Sequence, residues 1–192
     1  MKKIMFNDKY GLTQAVLEGR KTITRRSIPK KLLESIELYA HGNEEELRHR
    51  LLANSSYQVG EVVAIAQAYK DIYNDIYSAY HIGLYGRTAG WTNKMFVRTE
   101  SMPHHIKITN IRVERLQDIS DEDYLREGIY KKKLEYTPSG YNPNRMYYTF
   151  DGIGYCFNDA NNAFAALIDK VSGKGTWDSN PMVWVYEFEL VD

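Results

Sequence analysis

Ile106-Lys107-Ile108-Thr109-Asn110-Ile111-Arg112-Val113-Glu114-Arg115-Leu116 reads as one long β-strand whose alternation changes phase in the middle. Ile106 and Ile108 fall on one face of a pleated strand, whereas Ile111 and Val113 fall on the opposite phase. One extra residue near Thr109-Asn110, a β-bulge, returns all four to the same side. Bulges bend a strand and are frequent where a sheet curls into a barrel, so this segment predicts a barrel-like sheet.

Toward the C-terminus, Ser120 and Asp123 form an acidic variant of the capping box, with Ile119 and Tyr124 placed as a hydrophobic staple. The helix they open is short and stops at Gly128. Residues 130–158 are rich in Tyr, Gly, Asn and Pro and read as a long loop with room for a hairpin. A helix is expected from Asp159 to Val171, with Phe164, Leu167, Ile168 and Val171 on one stripe. The last strand, Met182 to Val191, alternates. Trp184, Tyr186, Phe188 and Leu190 share one face, and Glu187 and Glu189 take the other.

Toward the N-terminus, Gly60 opens a strand from Glu61 to Tyr69 whose Val62, Val63, Ala64, Ile65 and Ala66 make both faces apolar. That is the pattern of a strand covered on both sides. Tyr69 to Tyr85 fits a helix by the spacing of Ile72, Tyr73, Ile76, Tyr77 and Tyr80, yet has high β-propensity. Residues 27–56 read as a helical insertion, with Pro29 at a first helical position, Leu32, Leu33 and Ile36 behind it, and a second helix from Glu44 to Leu52. A strand over Lys2 to Phe6 precedes a helix from Asp8 to Glu18, capped by Asn7 or Asp8, with Leu12, Val16 and Leu17 inward. Gly19 then sits where a left-handed C′ residue ends a helix.

The length of 192 residues suits one domain with a real core, and no repeat, linker or low-complexity tract divides it. Hydrophobic residues make up 43% and charged residues 26%, ordinary values for a globular chain. Lys plus Arg equals Asp plus Glu at 25 each, so affinity for nucleic acid has to come from a local patch. Cys156 is the only cysteine, which excludes an intrachain disulfide and a Cys-x-x-Cys zinc site. No apolar run of signal-peptide length follows Lys2 and Lys3, and none is long enough to span a membrane, so a cytoplasmic location is expected.

The chemistry concentrates in Gly19-Arg20-Lys21-Thr22-Ile23-Thr24-Arg25-Arg26. A lysine, two threonine hydroxyls and three arginines meet directly after a helix end, with Lys30 and Lys31 beyond. Arg20, Arg25 and Arg26 are candidate phosphate ligands, since guanidinium recognises phosphate in a planar, bidentate way. A lysine among other cations or partly buried has a lowered pKa and can act as a base, here on the Thr24 hydroxyl. The plainer account is that basic residues near a helix C-terminus complement its dipole.

This octet resembles the signature of ASCH domains, Gly-x-Lys-Thr-x-Thr-x-Arg after the first helix. Further segments agree in order. Tyr57-Gln58-Val59-Gly60-Glu61-Val62 resembles the family's strand entry, and Trp91 to Met102-Pro103 resembles a stretch of its larger bacterial and phage-type members. Arg112 to Ile119, Arg126-Glu127-Gly128-Ile129 and Trp177 to Tyr186 match as well, leaving 27–56 and 130–158 least covered. The resemblance implies an α+β fold, a PUA-like mixed β-barrel flanked by helices, whose cleft binds RNA or a modified nucleoside. It also implies, from a small amidohydrolase member acting on acetylated cytidine, a Lys/Thr/Glu set that falls here on Lys21, Thr24 and Glu127. In that chemistry Lys21 takes the proton of Thr24, Thr24 attacks the acyl carbon, and Glu127 protonates the leaving amine. Backbone amides near the turn or Arg26 would stabilise the oxyanion.

This chain departs from the small member in its greater length, in Arg25 where an apolar residue stands, and in His105 where larger members carry Arg. Other signals are weaker. Glu127, late in a short helix, is equally readable as a solvated acid. His104 and His105 are adjacent on a strand, face opposite ways and lack a third ligand, so no metal is expected. Ser172-Gly173-Lys174-Gly175-Thr176 lacks the upstream glycine of a phosphate loop and follows a helix instead of preceding one, so no nucleotide cofactor is expected either. Trp91, Trp177, Trp184, Tyr73, Tyr77 and Tyr80 are candidates for base stacking, with core packing the simpler role for Trp184. Lys131-Lys132-Lys133 reads as a solvated turn. The functions carried forward are binding of RNA or a modified nucleoside, deacylation of an acylated nucleoside, and, without a supporting His pair or metal cluster, cleavage of single-stranded RNA.

Overall fold

The computed structural model describes residues 1–73, 88–133 and 145–191. Its strands are β1 (Lys3–Ile4), β2 (Ile23–Ser27), β3 (Val62–Ile65), β4 (His105–Arg115), β5 (Tyr130–Lys133), β6 (Met146–Thr149) and β7 (Met182–Leu190). The helices used below are α1 (Leu12–Leu17), α2 (Lys30–Ala40), α3 (Glu44–Ala53), α4 (Tyr69–Ile72), α5 (Asp121–Arg126), α6 (Ala160–Ser172) and α7 (Thr176–Ser179). Five strands form a mixed sheet in the order β1-β3-β4-β7-β2, and β5 pairs with β6 separately. Only β1 and β3 run parallel in the larger sheet. The architecture is α+β.

The bulge lies where the phase change placed it. Ile108 pairs with Phe188 and Asn110 with Glu187, leaving Thr109 as the extra residue on β4. Ile106, Ile108 and Val113 consequently enter the same core, with Ile111 packed against it. β7 is central, between β4 and β2, so Met182 through Tyr186 are buried on both faces and not on one. β3 is also covered twice. Val63 and Ile65 join the main core, whereas Ala64 and Ala66 face a smaller cluster with Tyr69, Val97 and Met102.

The sheet is not a closed barrel. β1 and β2 are its two ends, and no ladder joins them. β1 is only two residues long, too short to reach across. At the gap the Arg26 guanidinium donates to the Met5 carbonyl instead, at 2.5 Å. The N-terminal helix is also divided: a 3-10 turn over Asp8–Tyr10 is separated from α1 by Gly11, which has φ of 64°. Gly19 has φ of 70°, as a C′ residue needs.

β3 ends sooner than its apolar run because its partner does. Beyond His105, residue Pro103 has no N–H to continue the ladder. Both helices of the 27–56 segment form, although Ser27 itself belongs to β2, paired with Val183. Within Tyr69 to Tyr85 only α4 is described; Ile76, Tyr77 and Tyr80 lie outside the described residues. The 130–158 region does contain a hairpin, and Lys131-Lys132-Lys133 is an exposed strand in it, not a turn. Among the described residues no helix is long and apolar enough to cross a membrane.

The turn after β6 is held tightly against the 3-10 turn. Gly152 has φ of 72°, and a Cβ there would lie 2.2 Å from the Lys9 carbonyl oxygen. Gly152→Ala should therefore destabilise the fold by about 2–4 kcal/mol, combining backbone strain with overlap. Gly154→Ala, with φ of 76° but open space around the Cβ, should cost only about 1–2 kcal/mol. Denaturant midpoints measure both, and equal losses would mean that the Lys9 contact is unimportant.

Candidate functional site

The turn at Gly19 delivers Lys21 into the interior. The Lys21 amide donates to the Ala15 carbonyl at 2.9 Å and that of Thr22 to the Arg126 carbonyl at 2.9 Å, fixing the approach to β2. Lys21 is 2% exposed. Its ammonium donates to Glu127 twice, to Oε2 at 2.5 Å and to the backbone carbonyl at 2.8 Å. Glu127 follows α5 and is 3% exposed, so it is a buried partner and not a solvated acid. Burial pushes the Lys21 amine below its ordinary value, while the charge and hydrogen bond of Glu127 oppose that shift.

β2 then splits the basic octet between two faces. Thr24 lies opposite Tyr186 and Arg26 opposite Trp184, whereas Arg25 lies opposite Val185, in line with Arg112. On that second face Arg25 donates to Glu127 Oε1 at 3.1 Å, Glu114 Oε1 at 2.7 Å and Asp123 Oδ2 at 3.0 Å. Desolvation works against the Arg25 charge, but the surrounding carboxylates outweigh it and raise its pKa. Arg112 continues the network to Asp123, Glu114 and Glu187, and Arg126 bonds Asp123 and Glu187. Four cations (Lys21, Arg25, Arg112 and Arg126) thus meet four carboxylates (Glu114, Asp123, Glu127 and Glu187).

The expected phosphate cluster is therefore dismantled. The Arg25 side chain is 1% exposed and saturated by carboxylates, so it cannot serve a phosphate. Arg20 is exposed, pairs with Glu18 at 2.6 Å and does not line the cavity described next. Arg26 alone stays available: among the described residues it has no carboxylate partner, and it bonds only the Met5 carbonyl.

A cavity of about 510 Å³ borders the edge strand β2. Lys21, Thr24, Arg26 and Glu127 line it on the polar side, and Phe6 and α6 residues such as Leu167 on the apolar side. Thr24 is 5% exposed, and its hydroxyl makes no hydrogen bond to any described residue. The three residues that the ASCH resemblance singles out therefore share one cavity. The volume suits a small-molecule ligand, within the roughly 300–1,000 Å³ range of such sites.

The remaining candidates fall elsewhere. Trp184 is core, its indole N–H donating to the Leu51 carbonyl at 2.8 Å. Trp177 packs edge-on against Phe164, and Trp91 and Tyr73 flank the smaller cluster. The amides of Gly175 and Trp177 are taken by the Asp169 carboxylate, which leaves the Ser172–Thr176 loop no phosphate role. Among the described residues no three His, Cys, Asp or Glu side chains are grouped to hold a metal. The sequence reading missed the acids Glu114, Asp123 and Glu187. The capping pattern accounts for the Asp123 backbone, whose N–H donates to Ser120 Oγ at 3.3 Å, and so conceals what its carboxylate does.

No protein-family model matches the chain, and no curated protein matches it. Among solved structures it is similar to the crystal structure of a protein from Enterococcus faecalis V583 described by the family model DUF984. The two share 14% identity at a TM-score of 0.42, over 100% of this chain and 81% of the other.

Removing Glu127 leaves Lys21 without its carboxylate in a dry interior. Glu127→Ala should cost about 3–5 kcal/mol, the range for breaking a buried ion pair from one side. Arg20→Ala, which removes an exposed ion pair with Glu18 and a guanidinium over the Tyr130 ring at 5.7 Å, should stay within about 1 kcal/mol of wild type. Thermal and denaturant unfolding of the two variants measure the contrast.

Proposed function

We propose that this chain is an ASCH-type amidohydrolase that removes an acyl group from a modified nucleoside, with Thr24 as nucleophile and the Lys21–Glu127 pair as proton carrier. One observation carries the reading: the Lys21–Glu127 hydrogen bond opens on the same cavity as the unbonded Thr24 hydroxyl. A curled, PUA-like arrangement of the sheet accords with the bulge in β4, although its ends are left open.

The proton inventory balances. Passing one proton along the 2.5 Å contact turns the ion pair into a neutral amine beside a carboxylic acid. Lys21 takes the Thr24 proton as Oγ bonds to the acyl carbon. The carbon–nitrogen bond breaks as Glu127 gives its proton to the departing amine. Water then attacks the acyl-threonine, its proton going to Glu127, and Lys21 returns a proton to Thr24. Every group ends as it began.

A second reading, binding of the modified nucleoside without turnover, has its own support. Glu127 also accepts from Arg25 at 3.1 Å, so it is held between two cations as a structural element of the cavity wall.

Acetylated cytidine is the first substrate to test. Wild type should release acetate, Thr24→Val should lose at least about 10³-fold in kcat, and Glu127→Gln about 10²–10⁴-fold. The mechanism needs one proton shared by Lys21 and Glu127, and burial lowers the Lys21 pKa, so kcat/KM should fall at high pH as that proton is lost, in a limb lying below the ordinary lysine value of about 10.4. A folded wild type without turnover that still binds the nucleoside would select the binding reading.

A further inference from the structure

A second cavity, of about 420 Å³, adjoins the first, and Met5, Arg26 and Ser27 line both. Pro29 and Ser56 enclose it from the helical insertion, Tyr57 from the segment just after it, and Lys3 from β1. Its floor is the buried pair Trp184 and Tyr186. No carboxylate lines it, whereas Lys3 and Arg26 do. The Lys3 ammonium already donates to the carbonyls of Lys94, Met95 and Val97, so it contributes charge and not hydrogen bonds. Arg26 differs. Of its five N–H donors one is bonded among the described residues, toward the Met5 carbonyl.

The charge balance of the first cavity sharpens the contrast. Lys21 and Arg25 are neutralised by Glu127, Asp123 and Glu114, so the positive potential felt by a ligand centres on Arg26. That guanidinium stands in the gap between β1 and β2 and borders both cavities. A planar fork with open donors and no carboxylate partner matches a phosphate group.

Building on the deacylase reading, we propose that this second cavity is a phosphate subsite, and that the substrate is an acylated nucleotide and not a free nucleoside. The phosphate seats on Arg26, with the acylated base at Thr24. Binding is independent of hydrolysis, so unacylated probes suffice. Calorimetry on the wild-type protein would compare cytidine, cytidine 5′-monophosphate, cytidine 3′-monophosphate and inorganic phosphate. At least one monophosphate should bind about 10-fold or more tighter than cytidine, and inorganic phosphate should compete with it.

Arg26→Gln should bring cytidine and that monophosphate to within about 2-fold of each other. Because Arg26→Gln also removes the Met5 contact, Ser27→Glu serves as a second variant. It adds a carboxylate to the lining of both cavities without removing that bond and should abolish the same preference. Equal binding of nucleoside and monophosphates by wild type, no binding of either monophosphate, or a preference that survives both variants would overturn the subsite. Acetylcytidine turnover separates the two claims: turnover without a phosphate preference removes only the subsite, and preference without turnover removes only the hydrolysis.

Discussion

Burial of the Lys21 amine is the constraint around which the site is arranged. An ammonium taken from water into the interior is tolerated only when paired and hydrogen-bonded. Glu127 supplies both a carboxylate oxygen and a carbonyl. Its second oxygen is then occupied by Arg25, which brings in Glu114 and Asp123, and these bring in Arg112 and Arg126. The chain of pairings stops at Glu187 on β7, which closes the count at equal numbers of each sign. This linkage ties the turn after α1, the end of α5 and the strands β2, β4 and β7 into one electrostatic unit. It also fixes Lys21 and Glu127 with little freedom, which is what a proton-transfer pair requires.

The open edge of the sheet is the second determinant. A closed barrel would place a strand against β2, where the two cavities now lie. The short β1 leaves that space unfilled, and α6 supplies an apolar wall. The insertion borders the neighbouring volume through Pro29 and Ser56, and Tyr57, just after it, sits edge-on against Tyr186 at 5.1 Å with its hydroxyl donating to the Lys3 carbonyl. The ground beside the candidate site is thus shaped jointly by the segment least covered by the family resemblance, through Pro29 and Ser56, and by the strand entry at Tyr57.

Much of the scaffold was legible in the sequence because local rules governed it. The phase change between Ile108 and Ile111 revealed the bulge, Ser120 and Asp123 marked the start of α5, and doubly apolar β3 announced two layers around it. Lys21, Thr24 and Glu127 came from motif resemblance and meet in one cavity. What escaped was mostly non-local. The end of β3 depends on Pro103, which precedes the partner strand, and the open edge depends on how few residues β1 pairs. One miss was avoidable. Alternation along a strand separates adjacent side chains, a rule applied to His104 and His105 but equally true of Arg25 and Arg26.

That same alternation bears on the kind of ligand. Read linearly, the octet is a dense cationic patch suited to a nucleic-acid backbone, which needs several unpaired cations along a surface. Folded, it places Lys21 and Arg25 in a neutral network, Arg20 beside Glu18, and leaves Arg26 on the cavity without a carboxylate partner among the described residues. With the chain neutral as a whole, no wider field compensates for the lost patch. One open guanidinium between two enclosed volumes favours a compact ligand carrying a localised negative charge over a long polyanion. The burial that quenches most of the octet's charge is, on this argument, what confers selectivity on the residue left over.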